Sequence, residues 1–263
     1  MKHFLILLLP FIISHAVWAA DTSELCAENT TSNQLSFAQN IIPRASTEIT
    51  LITWNAHKFA DSQFFTDLKH LSADADILMV QEAIHSHDWQ AAFQSNFPMS
   101  FSFFKSFCIR EQATGVMTAA RTQLNSNQTL TSPVGEPLSD TPKVSGYSQV
   151  TINNHLIHLI NTHALNFNTG GDFEEQIDQI THFIAGLSGP VIWAGDFNTW
   201  NPLRKAYLNE AGRKLGLTHL VPNPDQRLLV LDHIYIRGLT VLKAEVLTEN
   251  SSDHFPVRTV LKF

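Results

Sequence analysis

A short apolar run, Val191–Ala194, constrains the fold more than any other stretch of the sequence. It follows a Gly-Pro pair, contains β-branched and aromatic residues, and stops at Gly195, which predicts a buried strand with an abrupt end. Asp196 and Asn198 come next and are two positions apart, so their side chains point to the same side of an extended backbone. Turns favour the same residue types. By itself, this stretch therefore leaves open both a strand-closing turn and a reactive site.

Other apolar segments indicate a sheet that is covered by helices. Ile49–Trp54 and Ile77–Val80 predict strands, and apolar residues at helical spacing lie between them, at positions 64–71. Strand, helix and strand in succession are typical of an α/β protein. Further helices are predicted over 86–97 and over 201–215, the latter with Asn201 as its N-terminal cap.

The middle of the chain predicts a hairpin that follows a long loop. Asn153 and Asn154 separate two apolar segments, 147–152 and 156–160, which is a strong hairpin signal. Residues 125–146 contain three prolines and two glycines and are predicted to form a loop at the edge of a binding cleft.

The N-terminus carries the pattern of a secretory signal peptide. Residues 1–20 begin with Lys2, continue with an apolar run, and end in small residues that allow cleavage after Ala19 or Ala20. The apolar run is short for a membrane span, although an uncleaved anchor is the alternative. We therefore expect an exported protein, periplasmic or secreted, with no transmembrane segment in the mature chain.

The composition of the full chain limits the partners that it can bind. The 24 acidic residues outnumber the 17 basic ones, and the net charge is −7, which disfavours long tracking along nucleic acid but permits local phosphate contacts and bound cations. In an exported chain Cys26 and Cys108 would form one disulfide, with two unpaired thiols as the alternative. Residues 21–46 are polar and predict an N-terminal lead-in to a single domain, residues 47–263.

Polar side chains recur where the apolar segments end. Oxygen-rich ligands of this kind suit Mg²⁺ or Mn²⁺, and the absence of clustered Cys and His argues against zinc. A phosphate ester is the natural substrate of such a site. The residues are Asn55, Glu82, His163, Asp196, Asn198, Asp253 and His254, while Asp232 lies within a sixth predicted strand, Leu229–Ile236.

Six stretches, in order, resemble the motifs of the endonuclease/exonuclease/phosphatase (deoxyribonuclease I-like) superfamily. Three further stretches, Thr114–Met117, Thr162–Phe167 and Gly189–Ile192, are most similar to its YafD-type bacterial branch. The resemblance implies a four-layer α/β/β/α sandwich of two packed mixed β-sheets with the site at one end. The six stretches are Trp54–Asn55, Gln81–Glu82, Thr162–His163, Gly195–Asn198, Leu231–Ile234 and Ser252–His254.

The resemblance also implies a role for each site residue. Asn55 and Glu82 would bind the metal ion, Asp253 would assist the metal ion or His254, and His163 and Asn198 would bind the phosphate. The remaining catalytic roles fall to Asp196, which would position or deprotonate the attacking water, and to Asp232, which would orient His254.

One position departs from part of the superfamily. His57 stands two positions after Asn55, where abasic-site endonucleases tend to carry an acidic residue, and this weakens the nuclease interpretation.

The sequence thus predicts an exported, divalent-metal-dependent hydrolase of phosphate esters. We expect a monomeric phosphodiesterase that acts on nucleic acid, on a phospholipid such as sphingomyelin, or on a soluble phosphate ester. The alternative is a binding or effector module that kept the fold and lost turnover. The complete set of site residues favours the enzyme.

Overall fold

The computed structural model describes residues 22–168 and 171–263, so the predicted signal peptide, residues 1–20, lies outside the described residues. Within these ranges the chain forms thirteen strands and four α-helices. In chain order they are β1 (Gln34–Ala38), β2 (Ile49–Asn55), α1 (Phe64–Leu71), β3 (Ile77–His85), α2 (His87–Asn96), β4 (Ser100–Ile109), β5 (Gln112–Ala120), β6 (Leu124–Gly135), β7 (Pro142–Ile152), β8 (His155–His163), α3 (Asp172–Ala185), β9 (Val191–Asp196), α4 (Pro202–Lys214), β10 (Thr218–Leu220), β11 (Asp232–Arg237), β12 (Thr240–Val246) and β13 (Val257–Lys262).

The strands form two mixed sheets. The first has the order β1-β4-β5-β3-β2-β13-β12, and the second has the order β10-β11-β9-β8-β7-β6. The pairs β2–β3 and β8–β9 are parallel, and the other pairs are antiparallel. The predicted mixed sheets are therefore confirmed.

Three layers of apolar side chains hold the two sheets and the helices together. Ile49 and Leu51 pack against Leu159 and Ile192 of the second sheet, whereas Trp54, on the other face of β2, packs beneath α1 and α2. A separate cluster packs α3 and α4 on the outer face of the second sheet. Strands covered on both faces are largely apolar, which explains the apolar runs in the sequence. The predicted four-layer α/β/β/α sandwich is confirmed.

The segment predicted as a long loop, residues 125–146, instead forms most of β6, the turn after it and the first five residues of β7. Its prolines lie where a missing backbone N–H is tolerated: Pro133 falls in a register shift of β6, which is an edge strand, Pro137 lies in the turn, and Pro142 begins β7. The following hairpin is as predicted. Asn153 and Asn154 both adopt positive φ, 52° and 66°, as a tight two-residue turn requires.

Residues 22–46, from the predicted N-terminal lead-in, contribute a strand to the first sheet. Strand β1 pairs antiparallel with β4 at the sheet edge, and a disulfide joins Cys26 to Cys108 near the end of β4, with a Cα–Cα distance of 6.0 Å. This predicted disulfide is therefore present. No helix in the described ranges is long and apolar enough to cross a membrane.

Candidate active site

Strand register brings the predicted polar residues to one end of the two sheets. In the second sheet His163, the last residue of β8, is the register partner of Asp196, the last residue of β9, and Asp196 lies opposite Asp232 of β11. In the first sheet Asn55 ends β2. A hydrogen bond joins the two sheets at this end: Nδ2 of Asn55 donates to Oδ2 of Asp196 at 2.9 Å.

The backbone after β9 fixes Asp196 and Asn198. A Cβ on Gly195 would lie 2.0 Å from the carbonyl oxygen of Thr162, so only glycine allows this close approach of β9 to β8. Asn198 has φ of 50°, and its backbone N–H donates to Oδ1 of Asp196 at 2.9 Å. Its Nδ2 donates to the carbonyl of Ala164 at 2.8 Å. Both side chains are therefore held in one orientation.

The carboxyl group of Asp196 is an unusually weak acid. Burial and the negative charge of Asp232 raise its pKa to about 6, although His254 and the donors on Asn198 and Asn55 partly offset the rise. Asp196 is thus ionised at neutral pH yet close to its pKa, which is the condition for an efficient general base.

Asp232, which is buried, and His254, which is partly buried, form a pair. Nδ1 of His254 donates to both carboxylate oxygens of Asp232, at 3.0 and 3.1 Å, and its Nε2 lies 3.8 Å from Oδ2 of Asp196. Burial lowers the pKa of His254, but the charge and hydrogen bonds of Asp232 and the charge of Asp196 outweigh it and raise the pKa to about 10. His254 is therefore an imidazolium at neutral pH, suited to donate a proton or to stabilise negative charge.

Two boundaries around this pair differ from the sequence prediction. Asp232 begins β11 rather than lying inside a longer strand, and His254 lies in the loop before β13, which begins at Val257. A residue at the end of a strand or in a loop can turn its side chain toward the site. The indole of Trp54 donates to the carbonyl of His254 at 2.8 Å and fixes that loop.

His163 lies at the centre of the polar cluster. Its Nε2 is 3.7 Å from Oδ2 of Asp196, 3.8 Å from Oε1 of Glu82, and accepts a hydrogen bond from Nζ of Lys143 at 3.2 Å. Burial, together with Lys143, Lys58 and other nearby positive charge, holds the pKa of His163 well below its usual value. The ring is therefore neutral, and it can donate to a phosphate oxygen once Nε2 exchanges the hydrogen bond from Lys143 for a proton of its own.

Sequence reasoning missed Lys143, which was part of the predicted loop. It lies at the start of β7, and β7 pairs with β8 so that Ser145 is opposite Thr162. Burial lowers its pKa, and Oε1 of Glu136 lies 3.8 Å from its Nζ. The usable signal was the hairpin, because following β7 back by four positions from the pair Tyr147–Ile160 reaches Lys143, just beyond the end of β8.

Glu82 is presented by an irregular backbone. It has φ of 49°, within a register shift of β3 between Val80 and Ala83, and its carboxylate pairs with Nζ of Lys58. Lys58 belongs to a turn, His57–Phe59, in which all three residues also have positive φ. Such conformations cost energy and concentrate at functional sites.

Asp253 lies at the mouth of the site. Its side chain is 60% exposed, and its Oδ1 is 3.6 Å from Nδ1 of His57. Asp253 therefore faces solvent beside His57, the residue that departs from the abasic-site pattern. Its role as a metal ligand stays a prediction.

Asn55 and Glu82 fit a hard divalent cation by their chemistry. Carboxylate oxygens of Glu82 and Asp196 both lie within 3.8 Å of Nε2 of His163, so they converge on one region. Oδ1 of Asn55 accepts the N–H of His57 at 3.0 Å and keeps a second lone pair. Oxygen donors of this type suit Mg²⁺ and Mn²⁺. Lys58 neutralises Glu82 at present and is partly exposed, so it can yield to a cation.

A second possible metal cluster is better explained as hydrogen bonding. Ligand atoms of Asp196, Asp232 and His254 lie within 4.8 Å of one another. However, Nδ1 of His254 points at Asp232 and Asp232 holds it by two contacts. That geometry satisfies the ring nitrogen without an ion.

A cavity of about 260 Å³ adjoins these residues. Glu136 shapes one wall, since its carboxylate accepts the backbone N–H groups of Asn166 and Phe167 at 2.7 and 3.3 Å. Two lysines provide positive charge, and aromatic rings add apolar surface. The lining includes Lys58, Glu82, Phe107, Glu136, Lys143, His163 and Phe167.

Comparison with solved structures supports the same architecture. TDP2 of D. rerio, complexed with a single-strand DNA product, superposes with a TM-score of 0.66 at 14% identity and covers 83% of this chain and 100% of its own. Sphingomyelinase C from Streptomyces griseocarneus gives 0.58 at 14% identity, covering 81% of this chain and 99% of its own. These likenesses show the fold.

Sequence comparison shows the family. A UPF0294 protein of Vibrio parahaemolyticus is 31% identical over 222 residues, which cover 80% of this chain and 76% of the relative. The resemblance to the YafD-type bacterial branch is confirmed. The family model described as "Endonuclease/Exonuclease/phosphatase family" matches residues 52–254, a range that includes each of the site residues described above. This chain therefore belongs to the endonuclease/exonuclease/phosphatase family.

Proposed function

We propose that this protein is an exported, divalent-metal-dependent phosphodiesterase. Family membership supports the coarser function, hydrolysis of phosphate esters. The observation that carries the finer proposal is the opposite protonation of two groups whose atoms lie 3.8 Å apart: Asp196 is a carboxylate near its pKa, and His254 is an imidazolium. One group accepts a proton and the other donates one, as attack by water on a diester requires.

The proposed reaction uses the protein's own groups in sequence. Asp196 takes a proton from the attacking water as the new P–O bond forms. His254, held by Asp232, gives its proton to the leaving oxygen as the other P–O bond breaks. Neutral His163, with a proton on Nε2 once substrate displaces the hydrogen bond from Lys143, and the amide of Asn198 donate to the non-bridging oxygens, where negative charge develops.

Mg²⁺ or Mn²⁺ is the proposed cofactor, held by Asn55 and Glu82, with Asp253 nearest to solvent. When bound, it would stabilise the charge on the phosphate oxygens as a Lewis acid. Lys58 and Lys143 already place positive charge beside Glu82. The proposed cation and the two lysines would all favour an anionic substrate.

Export and a monomeric state complete the proposal. The signal-peptide pattern of residues 1–20 and the disulfide between Cys26 and Cys108 both support an oxidising compartment, periplasmic or extracellular.

Among proteins of this fold, one was solved with a DNA product and another is a sphingomyelinase, so nucleic acid and phospholipid are both candidate substrates.

The test is an assay of purified mature protein against bis-p-nitrophenyl phosphate, DNA and sphingomyelin, with Mg²⁺, with Mn²⁺ and with chelator. We expect turnover of at least the first substrate, lost with chelator and lost in Asp196→Ala. Turnover that chelator leaves unchanged would contradict metal dependence. No turnover of any substrate by well-folded protein would favour the binding module instead.

A further inference from the structure

Six exposed apolar side chains lie on segments at the end of the second sheet that carries the site. We call them the apolar rim. They belong to four separate segments of the chain, and each is at least 44% exposed; Leu138 and Leu228 are fully exposed. The apolar rim consists of Leu138, Phe167, Trp200, Leu203, Leu228 and Leu229.

Strand topology places the whole rim at the catalytic end of the second sheet. Strands β8 and β9 end there, and they are followed by Phe167 and by Trp200 with Leu203. Strands β7 and β11 run the opposite way, so the segments before them, which carry Leu138 and Leu228, lie at the same end. Phe167 also lines the cavity that contains Glu82 and His163.

The rim stands on a rigid base. Nε1 of Trp200 donates to the carbonyl of Asn166 at 2.9 Å, and the buried guanidinium of Arg204 lies 5.2 Å from the centre of its ring. Arg204 also donates to the carbonyls of Leu165 and Asn168, at 2.7 and 2.8 Å. A solvent-exposed tryptophan that is fixed in this way is pre-organised for contact with another surface.

The segment that carries Leu228 is hydrogen-bonded to the residues that follow β9. The hydroxyl of Thr199 donates to the carbonyl of Val230 at 2.8 Å, and the N–H of Phe197 donates to the carbonyl of Leu231 at 2.9 Å. The exposed leucines therefore project from a braced loop, next to the residues that hold Asp196.

The side-chain types of the apolar rim and the net charge of the chain indicate which partner the rim would contact. Aromatic rings can stack on bases, but four of the six rim side chains are leucines, which cannot. The net charge of −7 disfavours a polyanion and an anionic membrane. Leucine, phenylalanine and tryptophan around a polar site match the headgroup and acyl boundary of a lipid layer. A neutral surface that carries phosphodiesters is a zwitterionic phospholipid layer.

We propose that the apolar rim docks on a zwitterionic phospholipid surface and delivers a lipid phosphodiester head group to the catalytic site. This inference rests on the proposed function of that site and names its substrate class. It makes the protein an interfacial enzyme, one that acts on aggregated lipid in preference to dispersed ester.

The experiment compares two triple variants. Leu203→Ser, Leu228→Ser and Leu229→Ser together remove half of the rim. The matched control carries Leu156→Ser, Val241→Ser and Leu242→Ser. These residues are exposed by 40–44% and lie at the opposite end of the sheets, at the β7–β8 turn and the start of β12. Circular dichroism melting verifies that both fold.

Co-sedimentation with phosphatidylcholine vesicles measures docking, and hydrolysis of phosphatidylcholine above and below its aggregation concentration measures interfacial action. We expect the wild type and the control to bind the vesicles and to work faster on aggregated lipid. The rim variant should bind at least tenfold more weakly, and its ratio of lipid to bis-p-nitrophenyl phosphate turnover should fall by a similar factor.

The outcomes separate this inference from the proposed function. Wild-type turnover of bis-p-nitrophenyl phosphate without vesicle binding would overturn the inference alone. Loss of single-stranded DNA binding in the rim variant, with no vesicle binding by the wild type, would assign the rim to nucleic acid and also overturn it. Absent turnover of every ester, with rim-dependent vesicle binding intact, would instead count against the proposed function.

Discussion

Replacing Asp232 by Asn tests how Asp232 sets the charge on His254. Asn keeps the size of the side chain and an oxygen that can accept the Nδ1 hydrogen bond, but it removes the negative charge. The pKa of His254, about 10 in the native protein, should then fall toward the ordinary value of 6.5 because burial is no longer outweighed by Asp232. The ring remains in place and becomes neutral above that pH.

The size of the effect follows from the fraction of protonated ring. With a pKa of about 10, His254 is almost fully protonated at pH 8, whereas with a pKa of about 6.5 only about 3% is protonated, a roughly 30-fold loss of the active form. At pH 6 about three quarters stays protonated in the variant, so the corresponding loss is less than about twofold. The deficit of Asp232→Asn should therefore grow by more than tenfold between pH 6 and pH 8.

The assay is the pH profile of kcat/KM with bis-p-nitrophenyl phosphate. Wild-type activity should rise as Asp196 ionises, through about pH 6, and stay level until His254 loses its proton, near pH 10. The variant should instead decline above about pH 6.5. Asp225→Asn is the matched control, since Asp225 pairs with Arg227, a neighbour of Asp232, but not with His254.

A parallel offset of the two profiles from pH 6 to pH 8 would refute the reasoning, because it would mean that Asp232 does not control the charge of His254. A variant with a lowered melting temperature and an unchanged profile would make Asp232 a purely structural residue. We also expect His254→Ala combined with Asp232→Asn to cost little more than the worse single change, as groups that act as a unit do.

Three further predictions follow from the site and the disulfide. Glu82→Gln should abolish Mg²⁺-dependent turnover and weaken Mg²⁺ binding in calorimetry while the melting temperature stays the same. Glu245→Gln, a control that pairs with Lys243 away from the site, should change neither turnover nor Mg²⁺ binding. Full activity of Glu82→Gln would refute the metal role of Glu82. Lys143→Met should lower kcat/KM by roughly 10–150-fold, since a hydrogen bond to a charged group contributes about 1.5–3 kcal/mol. Loss of the lysine charge should also raise the pKa of His163, which NMR can follow. An unchanged pKa would contradict the contact between Lys143 and His163. Replacing Cys26 and Cys108 by Ser should lower the free energy of unfolding by about 2–4 kcal/mol in urea titrations, because the bridge restrains a long loop in the unfolded chain; unchanged stability would show that it does not.

Local patterns in the sequence determined the elements of the fold. The apolar run 191–194 is a strand, Asn153–Asn154 is a turn with positive φ, and Asn201 caps α4 by accepting the N–H of Arg204. These features depend on residues that are close in sequence, where side-chain periodicity and backbone preference act. The order of polar strand ends pointed to the family, and thereby to the two packed sheets.

Edge strands were harder to predict. Strand β1 was part of a predicted lead-in and β6 part of a predicted loop, because each sits at a sheet edge. An edge strand needs little apolar surface and tolerates proline, so its sequence resembles that of a loop. Only pairing with β4 and β7, respectively, distinguishes it.

The chemistry of the site was decided by the tertiary structure. The sequence supplied Asn55 and Asp196, but they are 141 positions apart, and only the packing of two sheets brings them to 2.9 Å. The role of Lys143 depends on strand register, and the pKa values of Asp196 and His254 depend on burial and on neighbouring charge. Composition and periodicity determine which residues stand at strand ends, whereas Coulomb energies and desolvation are set by distances in space.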